Sequence, residues 1–325
     1  MSAVPAPHPR AGERAPEFLL PPVDGVPSTF YERFCGRPAV LLLGADAQSL
    51  APFASLGARA GVMGLVPGHG GKAIEASIPV MGDDGRIARA LGESYPARGA
   101  LAWVLDGTLR LVARLPDADA DTVAAWLDTL PQGEDSPAVV EATAPVLMLP
   151  DVVSPDLCEA LIRCHESAHF DSGMVRMVDG KPALVPDYGA KRRLDHRLVD
   201  EALTAQLMEA LSRRVLPGIA TAFNYRVTRF EPFKVVCYES STGGYFRRHR
   251  DNVTPDARHR RFALSINLND GYQGGNLVFP EFGRQGYRPP RGGAIVFSGG
   301  LLHEATDVTG GRRYVLLSFL WGEDV

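Results

Sequence analysis

The chain has 325 residues, of which 45% are hydrophobic and 22% charged, and its net charge is -4. That length is too great for one ordinary core and calls for two domains, while the composition excludes disorder of the chain as a whole. The acidic balance provides no global positive field for nucleic acid or an anionic membrane.

Residues 1–14 read as a Pro-rich tail with no apolar h-region, so they are not expected to be a signal peptide. No uncharged apolar run reaches the length of a membrane span. The cysteines Cys35, Cys158, Cys164 and Cys237 form no CxxC pair, a pattern suited to a reduced, cytoplasmic protein. Residues 39–43 and 100–105 are short apolar runs bounded by turn formers, as in buried strands. Asp106-Gly107 is a hairpin signal, with 109–115 as the returning strand. Residues 122–130 have helical spacing, with Val123, Trp126, Leu127 and Leu130 on one face. Strand and helix alternate, so residues 1–133 are expected to form an α/β domain. Residues 134–145, rich in Pro, Glu, Ala and Thr, read as a linker. Beyond it a strand precedes a helix with Ser154 as N-cap and Pro155 in its first position. A second helix is expected over 199–215. From residue 225 short strands dominate, at 234–238, 263–269, 276–280, 294–298 and 314–321, closing as an antiparallel sandwich or barrel.

Chemistry concentrates in this last region. His249 and Asp251 are two apart, and on a strand residues i and i+2 face the same way. His303 follows a Gly-rich turn. Two imidazoles and one carboxylate on one face of a metal leave three positions open, the ligand set of non-haem Fe(II) oxygenases. A lone H-x-D arises often by chance, and ordinary surface or core histidines are the competing reading. Arg313, ten residues after His303, opens an apolar strand where it would be half buried and would require an anion. Its planar fork suits a carboxylate, whether from a ligand or from a protein Asp or Glu.

With these pieces in order, residues 146–325 resemble the prolyl 4-hydroxylase-type branch of the 2-oxoglutarate/Fe(II) dioxygenases. The likeness rests on Tyr238, Tyr245, His249-Arg-Asp251, Ser265-Ile-Asn-Leu-Asn269, Gly274-Gly275, Gly292, Leu302-His303-Glu and Gly311-Arg-Arg313-Tyr. It implies a double-stranded β-helix, or jelly roll, with flanking helices. It implies His249, Asp251 and His303 as iron ligands, Arg313 as the anchor of 2-oxoglutarate, Tyr238 as a second contact, and Arg312 as anchor if the register slips by one. Fe(II), 2-oxoglutarate and O2 follow from the resemblance, with ascorbate as an accessory reductant. The implied reaction hydroxylates an amino acid, a peptidyl residue or a small metabolite. Asp251 argues against halogenation, for which a small residue would stand in its place.

Residues 12–130 resemble peroxiredoxins of the alkyl hydroperoxide reductase type, which implies a thioredoxin-like fold. The stretch 44–53, where the peroxidatic cysteine belongs, contains none. Cys35 precedes the strand and is expected to be packed. This domain is therefore expected to be non-catalytic and to serve docking, substrate presentation or homodimer formation. Arg247, Arg248, Arg250, Arg258, His259, Arg260 and Arg261 form a basic cluster that reads either as an anionic-substrate surface or as a solvated, ion-paired face. His165 and His169 are expected to lie on a structural helix surface, and His196 is assigned no role. Two further readings remain open: a metal-binding, redox-linked binding protein without turnover, and a thiol peroxidase.

Overall fold

The computed structural model describes residues 8–23, 26–130, 143–178 and 181–323. Contacts divide the chain into two compact units, residues 1–138 and 139–325. The expected linker, 134–145, lies outside the described residues except for 143–145.

The first unit is built on a six-stranded sheet. Ala39–Gly44, Gly61–Pro67 and Val80–Asp83 run parallel, and Ala100–Leu105 and Leu111–Leu115 continue the sheet in antiparallel pairing. Leu41 and Leu43 enter a core on one face, while Val40 and Leu42 enter another on the opposite face. Burial on both faces explains why this strand is apolar throughout rather than alternating. The expected helix over 122–130 is Ala120–Asp128, because Asp119 accepts the Thr122 N–H (2.8 Å) and caps it early. Cys35 caps the Phe30–Phe34 helix and is exposed, which corrects the expectation that it is packed.

The second unit begins with Val146–Leu149 and the Pro155–Ser167 helix, where Ser154 Oγ accepts the Leu157 N–H at 3.2 Å. The next helix starts at Glu201 under an Asp200 cap and does not stop at 215. A π turn at Leu211–Val215 leads into Leu216–Phe223. Pro217 has no N–H for the ladder, and the wider turn lies where that donor is missing.

Two sheets follow. The larger runs Phe170–Asp171, Leu194–Arg197, Lys234–Glu239, Arg312–Trp321, Phe262–Asn267, Ala294–Ser298, Val146–Leu149, with Arg229–Phe230 paired to one end of Arg312–Trp321. The smaller orders Lys191–Arg192, Tyr245–His249, His303–Ala305, Leu277–Val278 and Gly286–Tyr287. Antiparallel pairing on both sides of Arg312–Trp321 and the helices against the outer face give a β-rich, jelly-roll core. Alternation divides the large sheet cleanly. Val235, Cys237, Leu264 and Leu316 pack outward into the helix-side core, whereas Val236, Tyr238, Ala263 and Val315 face the small sheet. Among the described residues no helix is long and apolar enough to cross a membrane.

Candidate metal centre and its cavity

Between the two sheets lies a cavity of about 510 Å³. His249 ends the Tyr245–His249 strand and sits directly opposite His303, the first residue of His303–Ala305. Asp251 is not on the strand, as the i, i+2 argument expected. The strand ends at His249, and a turn held by the Asp251 N–H to the Gly299 carbonyl (2.9 Å) brings the carboxylate back to the same point. One atom from each of His249, Asp251 and His303 lies within 4.8 Å of the others. His249 Nε2 is 3.4 Å from Asp251 Oδ1, and His303 Nε2 is 3.5 Å from Asp251 Oδ2.

The surroundings prepare these three groups as donors. His249 Nδ1 lies 2.8 Å from the Arg247 carbonyl and His303 Nδ1 lies 2.9 Å from the Leu301 carbonyl. A carbonyl can only accept, so both Nδ1 atoms carry a proton, and both Nε2 atoms are turned towards Asp251. Phe246 stacks on the His249 ring at 3.5 Å, and Phe297 meets the His303 ring edge-on at 4.7 Å. Burial pushes His303 below its ordinary range, and the Asp251 charge does not reverse this. Burial works to raise Asp251, but the His249 hydrogen bond and the charges of His303, His249 and Arg260 outweigh it and hold the carboxyl below its usual range. Two imidazoles and a carboxylate are a donor set that can hold a divalent metal.

Arg313 and Tyr238 face each other across paired strands and are 3% exposed each. Both line the same cavity as the three donors. The Arg313 guanidinium stands over the Tyr238 ring at 5.4 Å, and its buried Nε has no hydrogen-bond partner. Among the described residues no carboxylate pairs with it. Arg312 faces the other way and pairs with Glu239 at 2.7 Å. Gly275, at φ +62°, makes room for Arg313, because a Cβ there would come within 2.9 Å of its Cδ. Asn269 grips the backbone on both sides: its Nδ2 donates to the Arg312 carbonyl (2.8 Å), and its Oδ1 accepts from the Tyr314 N–H (2.8 Å).

Other expected features lie elsewhere. The Tyr245 hydroxyl donates to the Tyr188 carbonyl, and its ring carries the Arg247 guanidinium at 3.6 Å, so it is a surface contact. His196 Nδ1 is bonded to the Ala168 carbonyl. His165 is buried rather than on a helix surface. Its Nε2 donates to the Leu194 carbonyl at 3.0 Å, and its ring meets Tyr314 edge-on. The basic cluster is largely committed to ion pairs: Arg247 with Asp307 (2.7 Å), Arg248 with Glu304 (3.5 Å), Arg250 with Glu281 (2.7 Å), and both His259 and Arg260 with Glu231 (2.9 and 2.6 Å). Arg260 also donates to the Asp251 carbonyl at 3.2 Å, steadying the turn that presents the carboxylate.

Sequence reasoning overlooked Lys191, Arg193, Asp195 and Lys234, all of which line the cavity. The signal was present: residues 191, 193, 195 and 197 are all charged, a period of two that marks one face of an extended chain.

Residues 233–321 match the model of the 2OG-Fe(II) oxygenase superfamily, so this part of the chain is a 2OG-Fe(II) oxygenase domain. A PKHD-type hydroxylase of Xanthomonas campestris is 28% identical over 191 residues, covering 54% of this chain and 77% of the relative. The PKHD-type hydroxylase PiuC of Pseudomonas aeruginosa is 32% identical over 98 residues, covering 27% and 42% respectively. Among solved structures, a Pseudomonas putida prolyl-4-hydroxylase aligns with a TM-score of 0.44 at 20% identity, covering 56% of this chain and 95% of that one.

Asn269→Ala leaves Arg313 in place but frees its flanking backbone. Losing two hydrogen bonds worth about 0.5–1.5 kcal/mol each is expected to weaken 2-oxoglutarate binding roughly fivefold or more while leaving metal affinity unchanged. Titration of metal and 2-oxoglutarate separately checks this, and equal loss of both would show a general collapse of the site instead.

Lys191 is 6% exposed, and burial, reinforced by the charge of Arg193, brings its pKa down to about 7. Asp195 and Asp171 pull the other way, and Lys234 adds to the depression. Between that value and the ordinary lysine range the unfolded chain binds more protons than the folded one, so this group makes stability rise with pH. Lys191→Met is expected to raise the melting temperature by several degrees near neutral pH, with the gain shrinking towards about pH 10. Calorimetry of the full chain across that range would show no such convergence if Lys191 were hydrated.

Proposed function

We propose that the protein hydroxylates an unactivated C–H bond of an amino acid, a peptidyl residue or a small metabolite, converting 2-oxoglutarate and O2 to succinate and CO2. The observation that carries this reading is a buried guanidinium with an orphaned Nε in one cavity with three convergent metal donors. A buried cation needs an anion, and the fork of Arg313 suits the distal carboxylate of 2-oxoglutarate. Tyr238 walls the same end. The hydroxylases among the relatives support the reaction type.

His249 and His303 would hold Fe(II) through Nε2 and Asp251 through its carboxylate; the iron supplies the oxidising chemistry when bound. The chain does the rest. The carbonyls of Arg247 and Leu301 keep the imidazole protons on Nδ1, so neither ring needs to change tautomer. Phe246 and Phe297 hold the rings against rotation and, with Val236, Ala263 and Val315, keep water from the walls of the cavity. Arg313 orients the co-substrate from the deep end.

The first unit supports a thioredoxin-like reading: its six-stranded sheet combines three strands in parallel pairing with three, Ala73–Ile74 among them, in antiparallel pairing. We read it as a peroxiredoxin relative with an auxiliary role. The loop after Ala39–Gly44 lacks cysteine, and exposed Cys35 lies before that strand, at the opposite end from the loop. A cytoplasmic location fits the four free thiols.

Succinate release with Fe(II), 2-oxoglutarate and O2 tests the main reading against its alternative, a metal-binding protein without turnover. His249→Ala and His303→Ala are each expected to abolish release. Arg313→Leu is expected to raise the 2-oxoglutarate requirement by about tenfold or more, losing charge-assisted bonds of about 1.5–3 kcal/mol each, with little change in iron affinity. Metal binding without any succinate would establish the alternative.

For the first unit, the full-length protein is expected to consume no peroxide with thiol reductants. Rapid consumption lost in Cys35→Ser would make it a working peroxidase.

A further inference from the structure

The cavity carries charge that the iron and 2-oxoglutarate positions leave unused. Along residues 191–197 the alternate positions are Lys191, Arg193, Asp195 and Arg197, and Arg197 pairs across the sheet with Lys234. Arg193 and Asp195 form an ion pair at 2.9 Å, and Ser172 donates to Asp195 Oδ2 at 2.9 Å. Lys191, Arg197 and Lys234 line the same cavity, and among the described residues none of the three has a hydrogen bond or ion pair from its side chain. Lys191 is the telling member, since it is more than nine-tenths buried. Its Nζ stands 5.2 Å from the centroid of the Phe246 ring, and Phe246 in turn stacks on His249.

That arrangement is costly. A cation–π contact offsets only part of the cost of withdrawing an ammonium from water. The acids nearby are committed elsewhere: Asp195 to Arg193 and Ser172, Asp171 to the Tyr188 hydroxyl, and Glu231 to His259 and Arg260. Burial and the charges of Arg193 and Lys234 lower the proton affinity of Lys191 more than Asp195 and Asp171 raise it. The arginines of the neighbouring basic cluster show the contrast, because Arg247, Arg248 and Arg250 each have a protein carboxylate. A cost left uncompensated at one wall of a cavity marks a place where a ligand completes the structure.

We propose that this wall is a second anion subsite, in which Lys191, backed by Lys234 and Arg197, holds a carboxylate or phosphate group of the substrate. The proposal rests on the reading of the cavity as an oxygenase active site and adds a substrate class to it: molecules with an anionic group at one end and the reacting C–H bond towards His249. Phe246 beside Lys191 and the exposed Val253 at the cavity wall supply apolar contact for the part between.

The test uses the full chain loaded with Mn(II) and saturating 2-oxoglutarate, so that Arg313 is already occupied. Phenyl phosphate and benzoate are titrated calorimetrically, with phenol as the uncharged control; the two anions separate phosphate from carboxylate recognition. At least one anion is expected to bind more tightly than phenol. Its affinity is expected to fall about tenfold or more in Lys191→Met, to fall less in Lys234→Met, and to recover in Lys191→Arg, with 2-oxoglutarate affinity unchanged to within about twofold as the check on folding. Equal binding of anions and phenol, unaltered affinity in Lys191→Met, or loss of 2-oxoglutarate in place of the probe would each overturn the proposal. If the wild type takes up neither Mn(II) nor 2-oxoglutarate, the active-site reading fails instead, and the same titrations on unloaded protein still decide whether Lys191 binds an anion.

Discussion

Burying the Arg313 guanidinium between two sheets removes a full charge from water and gives it no carboxylate partner among the described residues in return. The β-rich unit is organised around keeping that charge in place. A long side chain so confined would otherwise swing towards solvent or draw an acidic neighbour inward. Three features prevent this. Glycine at 275 leaves space where any Cβ would collide, the Asn269 amide fixes the strand on both sides, and the Tyr238 ring closes the facing position. Each would be an odd choice for stability alone. Together they fix the guanidinium at the wall of the cavity.

The metal donors follow the same logic on the opposite sheet. Antiparallel register sets His249 against His303, and a turn returns Asp251 to them, so three donors converge without any long loop being ordered. Fixing the geometry in advance spares the ordering entropy that a mobile site would lose on binding. The basic residues nearby are mostly occupied in solvent-exposed pairs, which contribute little individually. Their value lies in where they leave acids and arginines fixed, as Arg260 does for the Asp251 turn.

Much of this was legible in the sequence. The apolar run at 39–43, the Ser154-Pro155 helix start and the strand at 294–298 are local signals, and local signals survive folding. As the ordered motifs led one to expect, His249, Asp251 and His303 converge and Arg313, not Arg312, lines the cavity with them. What escaped was set by tertiary context. Asp251 reaches the site from a turn, since a hydrogen bond to Gly299 ends the strand earlier than alternation suggests. Cys35 is exposed because it falls at a helix end, and His165 is buried because its helix turns that face to the large sheet. Lys191 was missed because lysine is ordinarily a surface residue, so a buried one is visible only when the second sheet covers it.

The proton placement on the two histidines has a consequence for which metals the chain could take. Each ring is locked by a carbonyl two residues earlier on its own segment, so both nitrogens stand ready before any ion arrives. A rigid pair of imidazoles and a carboxylate cannot reshape itself to refuse an intruder. Affinity at such a set climbs along the first transition row through cobalt and nickel to copper, past iron. Loading with the redox-active ion would then be decided by what the surrounding medium supplies, and zinc or nickel in excess would occupy the same three atoms as a competitor.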